Sequence, residues 1–325
     1  MKYDFASIGE VLIDFTPAGN APGGAALFQR NLGGAPGNAA CALAKLGRRS
    51  AFIGMAGDDA FGRFCKAEMA AQGVDVGGFK LSETRNTTLA FVHLSDGGDR
   101  SFSFYRKNMA DVGLGISDLP MGIVKNAKFF HFGSVSLSDE PARSATIYAV
   151  EEAIKSGSII TYDPNLRFSL WGDAAELKKS ALDAMRYAGV IKISDDEAEF
   201  LFGSSDYGKL IPHIKERFGA RLVIVTRGPR GAVTEAGGRL IDMPAYDVKT
   251  IDTTGSGDCF FAGALHCLLS FDKPVESLTP EELTYTLDFA NASGSLASAK
   301  PGAVSSLPSV SEIDECMKNC MKLTI

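Results

Sequence analysis

Residues 141–163 read PARSATIYAVEEAIKSGSIITYD. Up to Gly157 the stretch has helical periodicity and stops on glycine, the usual residue for a left-handed helix end. SIITYD, which follows, is short, apolar and β-rich. The same unit returns at once: AAELKKSALDAMRYAG (174–189) is helix-periodic and runs into VIKIS (190–194). Strand-like runs also stand at FASIGEVLIDF (5–15), SAFIGMAG (50–57), AKFFHFGS (127–134) and RLVIVTRG (221–228), with helical ones at APGNAACALAKLG (35–47) and FGRFCKAEMAAQG (61–73). Strands alternating with helices predict an α/β fold, a doubly wound and mostly parallel sheet covered on both faces. No linker or repeat interrupts residues 1–325, so one domain is expected.

Two segments break the alternation. LIDFTPAGNAPGGAALFQRNLGG (12–34) is strand-like but interrupted by Gly and Pro. TTLAFVHLSDGGDRSFSFYR (87–106) has strand composition on both sides of Asp96-Gly97-Gly98-Asp99 and reads as a hairpin. Segments about 12–32 and 87–107 are either edge decorations or a small β-sheet lid over the strand ends, where open α/β sheets bind ligands.

The 45% hydrophobic content fills a sizeable core and the 22% charged content covers it. A formal charge of −6 argues against nucleic acid or an anionic membrane as partner. No apolar run approaches the roughly 20 residues of a membrane helix, and MKYDFASIGEVLIDF carries acids inside its apolar part, unlike a signal peptide. Six cysteines without a Cys-x-x-Cys pair predict a cytoplasmic protein with reduced thiols. The four histidines lack metal-ligand spacing.

Chemistry concentrates in DTTGSGDCFFAGAL (252–265). Gly255 and Gly257, around Ser256, let successive main-chain N–H groups converge. The apolar run behind them predicts a buried helix whose N-terminus offers free donors and the positive end of the dipole. That is an anion pocket suited to phosphate. Asp258 at its mouth would receive a proton from an attacking hydroxyl, or would merely cap the helix. A helix N-terminus is expected to favour the ionised acid, making Asp258 a weak but ever-ready base.

A second constellation is NLGGAPGNAACALAKLG (31–47), in which Gly33 and Gly34 permit close approach and Asn38 is expected to begin a helix with its amide free. Asp14 is read as ending the first strand and pointing into the same crevice. There its carboxylate would accept hydrogen bonds from neighbouring hydroxyls, or bind a local main-chain amide. No Gly-x-x-x-x-Gly-Lys-Ser/Thr segment exists, nor a strand leading into Gly-x-Gly-x-x-Gly, which excludes a P-loop enzyme and argues against a dinucleotide dehydrogenase.

GGAPGNAACALAKLG and DTTGSGDCFFAGAL, near the two ends of the chain and in order, resemble the two signatures of the ribokinase-like, or phosphofructokinase-B type, carbohydrate kinases. The resemblance covers essentially the whole chain. FYRKNMAD (104–111), HFGS (131–134), DPNLRFSLW (163–171) and KISDDEAEFL (192–201) bring it closest to fructokinases within that family.

The resemblance implies Asp258 as base, Gly255, Ser256 and Gly257 as anion hole, and Asp14, Gly33, Gly34 and Asn38 as sugar contacts. Ser256 stands where alanine is commoner. Arg106 resembles a lid arginine reaching the sugar or the moving phosphate, though a surface arginine near a hairpin end reads the same way. Arg167 is a further candidate for the acceptor. Thr226, Gly228 and Gly231 in VTRGPRG (225–231) and Asn291 in DFANASGSLASAK (288–300) resemble the nucleotide contacts. Lys192 would neutralise ATP phosphates, or simply end its strand. Glu197 matches an acid tied to Mg2+ through water, with Ser194 in the usual asparagine position. Asp252, Thr254, Ala297, Gly302 and Ser306 fall at the spacings of a potassium site, an all-oxygen set suited to a large hard cation, or only shape two turns.

The function implied is ATP-dependent phosphorylation of a terminal sugar hydroxyl, D-fructose at O6 first. Alternatives are 2-keto-3-deoxygluconate, ribose or a nucleoside as acceptor, and, in another class, a non-catalytic sugar sensor. The lid's exposed face would suit a homodimer.

Overall fold

The computed structural model describes residues 1–94 and 100–324. Its strands are β1 Tyr3–Ile8, β2 Leu12–Asn20, β3 Ala26–Gly33, β4 Ser50–Gly57, β5 Asp75–Ser82, β6 Thr88–Leu94, β7 Arg100–Tyr105, β8 Ala127–Phe132, β9 Ile159–Tyr162, β10 Val190–Ser194, β11 Leu222–Thr226, β12 Ala232–Ala236 and β13 Arg239–Met243. A nine-stranded sheet runs β13-β12-β11-β10-β9-β8-β1-β4-β5. Every pair from β11 to β5 is parallel, and β12 and β13 add an antiparallel edge. The doubly wound, mostly parallel sheet is therefore present. The antiparallel edge and β5 were not anticipated.

Side chains alternate across each strand, so parity decides which layer a residue joins. In β10, Ile191 and Ile193 enter the core beneath helices Ala142–Lys155, Ala174–Met185 and Tyr207–Phe218. Val190 enters the opposite core, beneath helices Ala35–Lys45, Ser256–Phe271 and Pro280–Ser298. Lys192 has the parity of Val190. One buried cation is thereby aimed at the layer that contains Asp258.

A separate four-stranded sheet, β3-β2-β6-β7, stands off the main one. β2 pairs antiparallel with β3 and parallel with β6, while β6 pairs antiparallel with β7. The turn expected at Asp96–Asp99 lies outside the described residues.

One boundary needs correction. FASIGEVLIDF is two strands in two sheets, so Asp14 does not end the first strand but sits inside β2, opposite Asn31 of β3. The crossover is at Gly9–Val11, where Gly9 lies so close to Pro36 that an added Cβ would fall 2.7 Å from its Cγ. The run is apolar on both sides of the crossover, so its composition does not mark the change of sheet.

The helix Ser256–Phe271 is buried nearly all round, as its apolar run requires. All six cysteines are free and five are buried. Among the described residues no helix is long and apolar enough to cross a membrane.

Candidate active site

The helix that carries Asp258 begins after Gly255, whose φ of 75° lies in the left-handed region. A Cβ on Gly255 would also stand 2.7 Å from that of Ala303. Glycine is required there twice over, by conformation and by space. In the turn, Ser256 N–H donates to Thr253 O at 3.2 Å, whereas the N–H groups of Gly255, Gly257 and Asp258 meet no main-chain acceptor among the described residues. Ser256 Oγ is buried without a partner among the described residues. The pocket's donors are therefore those flanking Ser256.

A cleft of about 290 Å³ opens in front of this turn. Its walls include Asp14, Gly34, Asn38, Arg167, Lys192, Thr254, Gly255, Gly257 and Asp258 from the expected set. They also include Glu10 and Asn165, which were not singled out. Asn38 lies in the first turns of helix Ala35–Lys45 rather than starting it, and its amide is not free: Nδ2 donates to Asp258 Oδ2 at 2.8 Å. Asn165 Nδ2 donates to Asp258 Oδ1 at 3.3 Å. Amides from two distant segments thus hold the two oxygens of one carboxylate. Gly33 lies behind Asp14, where an added Cβ would come 2.2 Å from Oδ2. Gly34 has a φ of 111° and packs on the Glu10 carbonyl. Both glycines make room for the two acids.

Burial governs the charges. It raises Asp258 to about 6, with Asp163 adding to the rise and Asn38, Lys192 and Arg167 opposing it. The expected preference of the helix end for an ionised acid is overturned here, because desolvation of a fully enclosed carboxyl outweighs the dipole. Asp14 is raised to about 7, again by burial first, with Arg167 opposing. Glu10 also reaches about 7 by burial; Oε1 accepts from Ala35 N–H at 3.1 Å and Oε2 has no partner among the described residues.

Lys192 Nζ meets Asp163 Oδ2 at 2.8 Å with both side chains nearly enclosed. Burial acts to lower its pKa, but Asp163, Glu197 and Asp258 outweigh it and raise it, so the lysine stays charged. A Cβ on Gly257 would lie 3.2 Å from that ammonium. Side-chain absence at Gly257 lets the cation reach the turn.

Arg106 is different. It is buried, Nε donates to Asp111 at 2.6 Å, Nη1 to Ser138 at 2.6 Å and Asp139 at 3.1 Å, and Nη2 to Val135 O at 3.1 Å. It does not line the cleft. In this structure it ties the end of β7 to the 135–139 turn, because two acids compete successfully for its guanidinium. Arg167 is the cleft's arginine; Nη1 donates to the carbonyls of Asn165 and Leu166.

Glu197 is likewise committed. Its oxygens accept N–H groups of Leu166 and Ser194, both at 2.8 Å, and Ser194 Oγ accepts Glu197 N–H, a reciprocal cap on helix Asp195–Phe202. Thr226 pairs in register with Ser194 across β10 and β11. Gly231 would put a Cβ 2.0 Å from Met243 O, the same carbonyl that accepts Asn291 Nδ2 at 2.8 Å. Gly228 opens the intervening turn. Of the expected nucleotide residues, only Lys192 lines the Asp258 cleft. Asp252 clamps two loops, accepting from Thr254 N–H at 2.8 Å and Gly302 N–H at 2.9 Å. Ser306 Oγ donates to Ala303 O at 3.0 Å, and Ala297 is fully buried nearby on helix Pro280–Ser298.

Asp163, Asn165 and Glu10 are the site residues that sequence reasoning passed over. Which polar residues of DPNLRFSLW and GEVLID turn inward depends on the chain path after β9 and β1.

The chain is similar to known sugar kinases both in sequence and in fold. Residues 3–310 match the profile of the pfkB family carbohydrate kinases. Fructokinase-1 of Oryza sativa subsp. japonica is 38% identical over 315 residues, covering 96% of this chain and 97% of that protein. The crystal structure of fructokinase with bound ATP from Xylella fastidiosa superposes with a TM-score of 0.87 at 31% identity, over 98% of this chain and 99% of that one. A fructokinase double mutant from Vibrio cholerae O395, in fructose, ADP and potassium ion bound form, gives 0.86 at 30% identity over 98% and 99%.

Proposed function

The chain belongs to the pfkB family of carbohydrate kinases, and from that premise we propose that it transfers the γ-phosphoryl group of ATP to O6 of D-fructose. One observation carries the reading: the carboxylate of Asp258 is held by Asn38 at 2.8 Å in the same cleft as the Gly255–Gly257 turn and Lys192. An acceptor, an anion-binding turn and a buried cation are the parts phosphoryl transfer needs.

In the proposed reaction Asp14 and Asn38 hold the sugar's hydroxyls, with Gly33 and Gly34 allowing it to approach the main chain. Asp258 takes the O6 proton as that oxygen bonds to phosphorus and the bond to the ADP oxygen breaks. A pKa near 6 makes it ionised at neutral pH yet a stronger base than an exposed aspartate. The N–H groups of Gly255, Gly257 and Asp258, with Lys192 and Arg167, stabilise the moving charge. The smaller sheet serves as a lid that keeps water from ATP. Thr226, Gly228, Gly231 and Asn291 form the nucleotide side.

Bound with ATP, magnesium would neutralise the phosphate oxygens. Asp163 supports this assignment, since Oδ1 is buried without a partner among the described residues, beside Lys192; Glu197, each oxygen already accepting one main-chain N–H, would act only through water on its remaining lone pairs. Carbonyls of Thr254, Ala297 and Gly302, with Asp252 and Ser306, fit potassium by donor chemistry. The lid's exposed Leu27, Phe28 and Tyr105 fit a homodimer. Six free thiols suit the cytosol.

The test is coupled ATP consumption over D-fructose, other ketoses, ribose, 2-keto-3-deoxygluconate and nucleosides, each with Mg2+ and with or without K+. Highest kcat/KM with D-fructose is expected. A higher value for another acceptor would overturn the fructose assignment, and no turnover with any would overturn the kinase reading.

A further inference from the structure

We infer that Asn165 is a positioning residue for the transfer, its amide holding the Asp258 carboxylate in the orientation that receives the acceptor's proton. The inference rests on Asp258 being the base.

Asn165 has a φ of 47°, a left-handed conformation that few residues other than glycine adopt and that asparagine tolerates best. Such strain persists where the surroundings over-determine it, and it clusters at functional sites. Here the surroundings do so on both sides. Pro164 O accepts Ser134 N–H at 3.0 Å, and Leu166 N–H donates to Glu197 Oε1 at 2.8 Å. One residue earlier, Asp163 Oδ2 takes Lys192 Nζ at 2.8 Å. The chain is pinned before and after Asn165, so its side chain is delivered to the cleft as part of a fixed segment.

That segment serves both halves of the chemistry. Asp163 sets the cation that faces Gly257, and Asn165 Nδ2 sets Asp258 Oδ1 at 3.3 Å, across from Asn38 on Oδ2. Two amide donors, one per oxygen, fix the plane of the carboxylate and leave each oxygen a second lone pair. The proton moves from the acceptor O–H to Asp258 while that oxygen forms its bond to phosphorus and ADP leaves. Asn165 neither gains nor loses a proton.

Two variants separate the amide from the backbone. Asn165→Gly keeps the left-handed conformation and deletes the amide. Asn165→Asp keeps the shape but places a second carboxyl beside Asp258. Expected for Asn165→Gly is a fall in kcat of about tenfold or more, with the Kd for ATP and the Tm essentially unchanged. For Asn165→Asp the acidic limb of the kcat–pH profile should move up by about one unit or more, since like charges disfavour ionisation. Wild-type kcat in the first variant together with an unmoved limb in the second would overturn the inference. If the native protein phosphorylates no sugar tested, the kinase reading has failed separately. A 13C-carboxyl NMR titration of Asp258 then decides: an upward shift in Asn165→Asp supports the contact, and an unchanged titration refutes it.

Discussion

Asn38 and Asp258, 220 positions apart in sequence, meet through a 2.8 Å hydrogen bond in the floor of the cleft. The bond joins the helix that follows β3 of the smaller sheet to the helix that follows the Gly255–Gly257 turn. Any movement of one constellation is therefore felt at the proposed base.

Asp258→Asn tests the base directly. The amide keeps the size of the carboxyl and can still accept from Asn38, but it cannot take a proton. Turnover should fall by about 10²–10⁴ while ATP binding, followed by calorimetry, stays within about twofold of native. Loss of ATP affinity equal to the loss of turnover would assign Asp258 to binding instead.

Activity and stability should respond to pH in opposite senses. Asp258, raised to about 6, must be ionised to act as the proposed base, so kcat should climb as pH rises through about 6 and level above it. For folding the sign reverses. Asp258, Asp14 and Glu10 all have folded values above their ordinary ones of 3.8, 3.8 and 4.5. The folded state binds these protons more tightly, so their contribution favours folding below the ordinary values and is lost as pH rises through about 6 to 7. Compared with an Asp14→Asn, Glu10→Gln double variant, the native Tm should drop more steeply from pH 5 to pH 8. Parallel Tm curves would refute the linkage.

Asp14→Asn should trade function for stability. The Asp14 carboxylate makes no hydrogen bond among the described residues, and Gly33 lies against it. Neutralising it at pH 8 should stabilise the sugar-free protein by about 1–4 kcal/mol, seen in denaturant unfolding, and raise the KM for sugar at least about tenfold. A variant that lost stability would mean that Asp14 is structural.

Lys192→Met leaves Asp163 buried without its cation. That should cost about 3–5 kcal/mol of stability and most of the activity. Adding Asp163→Asn should restore much of the stability and none of the turnover, because the missing charge beside Gly257 is not replaced. Recovery of both together would make the pair a purely structural bridge.

Much of the fold was legible because β-rich runs and helical periodicity do not depend on distant contacts. β10 and β11 could be read from VIKIS and RLVIVTRG alone. β5, with two glycines in DVGGFKLS, lacks that signal, and β12 (AVTEA) and β13 (RLIDM) mix charged residues into their apolar ones. The glycine turn was legible because Gly-Ser-Gly before an apolar helix is a local device. Arg106 was not: its residue type suits a ligand, but Asp111 and Asp139 engage it first.

From the order of residues alone came the layered α/β fold, the glycine turn with Asp258 behind it, and the resemblance to a carbohydrate kinase family. Each follows from local backbone preference or from a contiguous motif. The tertiary structure alone decided that Asp14 belongs to the smaller sheet, that Asn38 and Asn165 grip Asp258, and that burial lifts that acid toward 6. Desolvation and hydrogen-bond partners are properties of what surrounds a group, and those surroundings come from segments far apart in the chain.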